Sequence, residues 1–245
     1  MFLEYRPSDC ARRAFAGVVA ALIGGPALLA ASKVCAADAD HPVVVELFQS
    51  QGCSSCPPAN ANVNALSERA DVLALSYAVT YWDSLGWKDT FAKETFTDRQ
   101  WEYAHALRHE SVFTPQVVIN GRVDGVGTEH GEIEALMRRG ERAAGPTVAI
   151  SGDSVEIGAS EASARPADVW LVRYDPRTLE VSIRRGENAG KTLPHKNIVR
   201  EITRLGGWSG KAERFSLPGP GEPDIKTAVL VQTVGAGPIL AAARQ

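Results

Sequence analysis

Two serines separate Cys53 from Cys56, and these thiols are the side chains of this 245-residue chain best suited to chemistry. A thiolate attacks a disulfide sulfur, and a second thiol one helical turn away can displace the mixed disulfide that results. The same pair can instead close into a short bridge that only pins a loop, or hold copper(I) between two thiolates. Zinc needs further ligands, and His105 and His109, the histidines at helical i, i+4 spacing, read as a solvated helix face.

The neighbouring pattern places the thiols. Val43 to Phe48 is a short apolar run of the kind that fills a buried strand. From Pro57 onward Ala59, Val63 and Leu66 recur at helical spacing, with prolines tolerated because first-turn N–H groups need no partner. Cys53 is thus predicted at a helix N-terminus, where free N–H groups and the positive dipole end favour a thiolate. Val72 to Tyr77 reads as a second strand and Lys88 to His109 as mostly helical. Gln116 to Ile119 and Arg122 to Val126 flank Asn120-Gly121, a two-residue hairpin turn. Ile133, Leu136 and Met137 mark a last helix ending at Gly140 in a left-handed cap. The order is strand, helix, strand, helix, hairpin, helix.

The first residues read as a leader. Arg6, Arg12 and Arg13 precede an uncharged apolar run from Phe15 to Ala31, and small residues at Val34 and Ala36 place cleavage after Ala36, with Ala39 as a nearby alternative. The Arg12-Arg13 pair is a partial match to a twin-arginine signal. Loss of residues 1–36 removes Cys10 and Cys35 and moves the net charge from −3 to −5. In an oxidising compartment Cys53 and Cys56 can then pair only with each other, a substrate or a metal. An acidic exported chain without basic clusters has no electrostatic footprint for nucleic acid, nor for a membrane beyond the signal peptide.

The element order, with a Cys-x-x-Cys at the first helix and Thr114-Pro115 before the hairpin, resembles the thioredoxin-fold superfamily. Four phrases sharpen this: Glu46-Leu47-Phe48-Gln49-Ser50-Gln51-Gly52-Cys53-Ser54-Ser55-Cys56-Pro57-Pro58, Tyr81-Trp82-Asp83-Ser84-Leu85-Gly86-Trp87-Lys88-Asp89, Thr114-Pro115-Gln116 and Arg185-Gly186-Glu187-Asn188-Ala189-Gly190-Lys191. Together they resemble a secreted bacterial thioredoxin-like family catalogued as domain of unknown function 1223. The resemblance implies Cys53 as nucleophile, Cys56 as resolving thiol and Pro115 as a cis proline facing them, with Thr114's backbone free for an extended substrate, against an ordinary trans proline starting an edge strand. It suggests Glu46 as a buried acid beneath the cysteines, against an ordinary salt-bridged strand residue. The stretch between Cys56 and Pro115 exceeds thioredoxin's, and its Tyr81, Trp82, Asp83, Trp87, Trp101 and Tyr103 would line a substrate groove or pack an inserted helix.

Beyond Gly145-Pro146 the pattern turns to short β-type runs: Thr147 to Ser151 and Ser154 to Gly158 around Gly152-Asp153, then Asp168 to Tyr174, Leu179 to Arg184 and Ile225 to Thr233. Glu187, Asn188 and His195 fall in a polar loop able to reach the cysteines or simply to stay solvated. The expected fold class is an α/β thioredoxin-like domain with a helical insertion over residues 41–144, followed by a small all-β, sandwich-like domain over 145–245. The expected function is a periplasmic or secreted thiol–disulfide oxidoreductase acting on protein thiols or disulfides with an unidentified redox partner. It would need no cofactor beyond its own cysteines. The alternatives are a binding module whose disulfide is structural, and a copper(I) chaperone.

Overall fold

Val43, Val44 and Val45 open β1 (Val43–Gln49), which has neighbours on both edges: parallel β2 (Val72–Ala78) and antiparallel β3 (Gln116–Ile119). The computed structural model describes residues 37–141, 145–161, 165–219 and 222–245; the signal peptide expected over 1–36 lies outside them. β1 leads through the cysteine turn into α1 (Cys56–Leu66), with prolines in its first turn. α2 (Glu94–Leu107) follows β2, β3 turns into β4 (Val123–Gly125), and α3 (His130–Arg139) closes this half.

The second half supplies β5 (Val148–Ser151), β6 (Ser154–Ile157), β7 (Ala167–Asp175), β8 (Leu179–Ser182), β9 (Thr192–His195), β10 (Ile198–Trp208), β11 (Glu213–Ser216), β12 (Lys226–Thr233) and β13 (Ile239–Arg244). Eight strands form one mixed sheet in the order β13-β12-β7-β10-β2-β1-β3-β4. The expected fold class is corrected here. The chain is mostly β, with thirteen strands against three α-helices among the described residues, and the second half is no separate sandwich. The physical cause is the outer edge of β2. The first half leaves that edge unpaired, and an unpaired edge recruits strands. β10 joins it in parallel at Ile198 and Ser76, and β7, β12 and β13 extend the sheet from there.

Both faces of the sheet are covered. On one, α1 and α3 pack Ala59, Val63, Leu66, Ile133 and Leu136 against Val45, Leu47 and Ala74. Farther along, Val155 and Ile157 of the small β11-β6-β5 sheet meet Val169, Leu171, Val229 and Val231. On the opposite face α2 lays Phe96 and Tyr103 over a core running from Val44, Phe48 and Tyr77 to Val172, Leu230 and Ile239. One core thus spans both halves of the chain.

Two local expectations change. Residues 88–93 form a loop, and helix begins only at Glu94. Gly140 has φ −88°, not the left-handed value; a Cβ there would sit 2.7 Å from Cγ2 of Ile119, so close approach, not turn geometry, demands glycine. The Asn120-Gly121 hairpin does form, with φ 48° and 61°.

Candidate functional site

The cysteine turn follows directly from the end of β1. Cys53 N–H donates to the Ser50 carbonyl at 3.1 Å and Cys56 N–H to the Cys53 carbonyl at 3.2 Å. The two sulfurs are joined in a disulfide across a Cα–Cα distance of 5.4 Å. Both cysteines are 0% exposed, whereas Ser54 and Ser55 between them face solvent. Ser55 Oγ lies 3.3 Å from Cys53 Sγ and donates to the Thr114 carbonyl at 3.4 Å, so the Thr114-Pro115 segment borders the turn. The Thr114–Pro115 peptide is cis and Pro115 is buried.

Trp82 belongs to the same assembly: its indole Nε1 donates to Thr114 Oγ1 at 2.7 Å. Asp83 acts one step farther out, accepting from the Asp89 N–H at 3.0 Å. Glu46 does not lie beneath the cysteines. Alternation along β1 turns it with Val44 and Phe48 toward α2, on the face opposite α1. There it is fully buried, bonded to Arg99 Nε at 2.8 Å and to the Tyr103 hydroxyl, while Arg99 also donates to Gln232 Oε1 at 3.1 Å. The aromatic set divides: Tyr81, Trp82 and Trp87 gather near the turn, Tyr103 is core, and Trp101 is partly exposed on α2.

Four residues hold the turn: Gln51 and Asp89, to which sequence reasoning gave no role, and Glu187 and Asn188, from the polar loop that it read as able to reach the cysteines or to stay solvated. Gln51, fully buried, donates its N–H to Asp89 Oδ2 at 2.7 Å and its side-chain amide to Thr90 Oγ1 at 2.9 Å, and its Oε1 accepts from Trp87 Nε1 at 2.9 Å. Burial raises the Asp89 carboxyl to about 6, against the pull of its bonds from Gln51 and Phe91 N–H. Asn188, also fully buried, donates to the carbonyls of Gln51 at 3.0 Å and Cys53 at 2.8 Å. Glu187 Oε2 accepts from the N–H of Ser54 at 3.1 Å and its Oγ at 2.6 Å, bonds that lower its pKa, the hydroxyl more than the N–H. All four lie in the phrases that carried the family resemblance, which was the available signal; their bonding partners are separated too far in sequence to be paired by pattern.

His195 reaches neither cysteine through any hydrogen bond. It is 1% exposed with both ring nitrogens unpartnered, its ring edge-on to Phe91 at 5.9 Å, and burial lowers it to about 4. His109 bonds Asp124 at 2.8 Å, apart from His105. Among the described residues no three His, Cys, Asp or Glu side chains gather as a metal site.

The family model described as protein of unknown function (DUF1223) matches residues 44–232, from β1 through most of β12. The chain belongs to this family. A crystal structure of an Agrobacterium tumefaciens protein resembles this DUF1223 chain at 32% identity and TM-score 0.68, covering 86% of this chain and 95% of that one. HBP35 of Porphyromonas gingivalis shares the fold alone, at 13% identity and TM-score 0.58, over 84% of this chain and 75% of its own. No curated protein matches the sequence.

Proposed function

We propose that this DUF1223 chain is an exported thiol–disulfide oxidoreductase that works on protein thiols or disulfides through Cys53 and Cys56, in the periplasm or outside the cell. The observation that carries the reading is the position of the disulfide, on a turn between a buried strand and the proline-led start of α1, bordered by Thr114 and the cis Pro115. A helix N-terminus stabilises the thiolate released on reduction, and Ser55 Oγ is within reach to donate to it.

Exchange runs in two displacements. A thiolate of a reduced substrate attacks Cys53 Sγ; the Cys53–Cys56 bond breaks, and Cys56 leaves with the electron pair and takes up a proton. The substrate's second thiolate then attacks its own sulfur in the mixed disulfide and releases Cys53 as a thiolate. The substrate dithiol loses two electrons and the cysteine pair gains them; the pair is reoxidised when the Cys53 thiolate attacks a disulfide of a redox partner and Cys56 displaces the partner's thiolate. Because both sulfurs are buried, attack requires the Ser54-Ser55 turn to open locally.

The test is the reduction potential of the couple, trapped with an alkylator across defined redox buffers. A value between about −120 and −270 mV supports exchange and gives its direction, whereas one below about −300 mV marks a structural disulfide. The second result would leave a binding module. Stoichiometric copper(I) uptake by the reduced form alone would point to a metal carrier instead.

A further inference from the structure

We propose that Glu187, contributed by the second half of the chain, sets the thiolate affinity of Cys53 and so holds the couple at a more reducing potential. The inference rests on the exchange reading above and names the residue that tunes it.

α1 begins without an acidic residue in its first turn and without a side-chain cap, and Pro57 and Pro58 contribute no N–H. The few donors at this helix start therefore matter more than usual to a negative sulfur. Glu187 engages two donors just ahead of the N-cap Ser55, the N–H and the hydroxyl of Ser54, the residue next to Cys53. It adds a full negative charge where reduction must place another, and like charges disfavour ionisation.

The carboxylate is built into place. Asn188, the next residue, is fastened to the Cys53 and Gln51 carbonyls, and its Oδ1 accepts from Lys191 Nζ at 2.9 Å. Gly186, the preceding residue, has φ 78° and lies so close that a Cβ would come 3.3 Å from Cβ of Trp87. Other charged groups near the turn include Lys191 on this loop, Arg184 and Arg185 just before Gly186 in sequence, and Asp89 with Asp83 behind Gln51. Among the described residues, Glu187 is the charged group whose side chain bonds Ser54. Glu187 is a positioning residue in this scheme, acting through Ser54 and not touching the reacting sulfur.

The experiment measures two quantities in wild type, Glu187→Gln, Glu187→Asp and Glu187→Lys: the Cys53 pKa, from the pH profile of alkylation of the reduced protein, and the reduction potential. Glu187 is exposed, so these changes leave the fold in place. Removing the charge, which solvent screens, is expected to lower the Cys53 pKa by about half a unit and raise the equilibrium constant for reduction about threefold, close to 15 mV. Glu187→Asp should stay near wild type and Glu187→Lys should move further than Glu187→Gln. Equal values in wild type and Glu187→Gln, or a shift that ignores the sign of the charge, overturn the proposal. The wild-type potential by itself decides the exchange reading, so the two failures are read separately from one titration.

Discussion

Asn188 Nδ2 donates to the carbonyl of Cys53 at 2.8 Å across 135 residues of sequence. A second bond from the same nitrogen to Gln51, at 3.0 Å, makes one buried amide the clasp between the two halves of the chain at the disulfide. Both carbonyls are out of water's reach once the amide is in place, so its loss leaves acceptors unsatisfied.

Asn188→Ala should therefore cost about 2–4 kcal/mol of stability, from two lost bonds and two stranded carbonyls. It should also speed reduction of the disulfide by a small dithiol several-fold, because local opening of the turn becomes easier. Urea unfolding and quenched alkylation time courses measure the two effects. An unchanged reduction rate would show that Asn188 braces the fold without gating the sulfurs.

Cys56→Ser should accumulate mixed disulfides through Cys53, and Cys53→Ser should accumulate far fewer, because only the first variant retains the attacking thiol and lacks the resolving one. Trapped species are counted by non-reducing electrophoresis after each variant is mixed with an oxidised, disulfide-bearing model protein, whose disulfide the remaining thiolate attacks. Equal trapping by both variants would remove the assigned order of attack.

Asp89 and His195 give the protein opposed pH slopes in one window. The Asp89 pKa is raised from 3.8 to about 6 in the folded state, so the folded chain holds a proton there that the unfolded chain releases, and stability falls as pH rises from about 4 to 6. The His195 pKa is lowered from 6.5 to about 4, so the unfolded chain takes a proton that the folded one refuses, and stability falls as pH drops from 6.5 to 4. Each is worth at most about 3 kcal/mol, and they offset. Asp89→Asn should leave a chain that weakens toward acid, and His195→Phe one that weakens toward neutrality, as read from urea midpoints between pH 4 and 7. Slopes identical to wild type in both variants would discount the burial argument.

Glu46→Gln removes the counter-charge from Arg99, which is 3% exposed. Stranding a buried guanidinium costs about 3–5 kcal/mol. The loss should appear in thermal unfolding, while the Cys53–Cys56 potential should stay put, since Glu46 lies on the sheet face away from α1. A shifted potential would return Glu46 to the chemistry of the pair.

The sequence revealed most where a signal was local. The strand before the cysteines, the helix behind them and the Asn120-Gly121 turn each depend on residues a few positions apart, and each formed where expected. What stayed hidden was long-range. β10 alternates exposed and buried residues only loosely and contains Gly206-Gly207, and β13 reads Ile-Leu-Ala-Ala-Ala-Arg, whose alanines carry little strand preference. Both are strands because the sheet offers them an edge, a tertiary fact. The loop holding Glu187 and Asn188 was visible as polar sequence, but its docking on the turn depends on bonds spanning more than a hundred residues.

The clasp has an order in time. Cys53 and Cys56 leave the ribosome well before Asn188, and at about 5–20 residues per second 135 residues of chain take roughly ten seconds to follow. During synthesis the two thiols precede their fastening, and a turn held by no distant amide is open to oxidants and reductants. Arrival of the second half then encloses whatever bond has formed. Once the second half has docked, every exchange at the pair must pass through a local opening that this late-arriving amide resists.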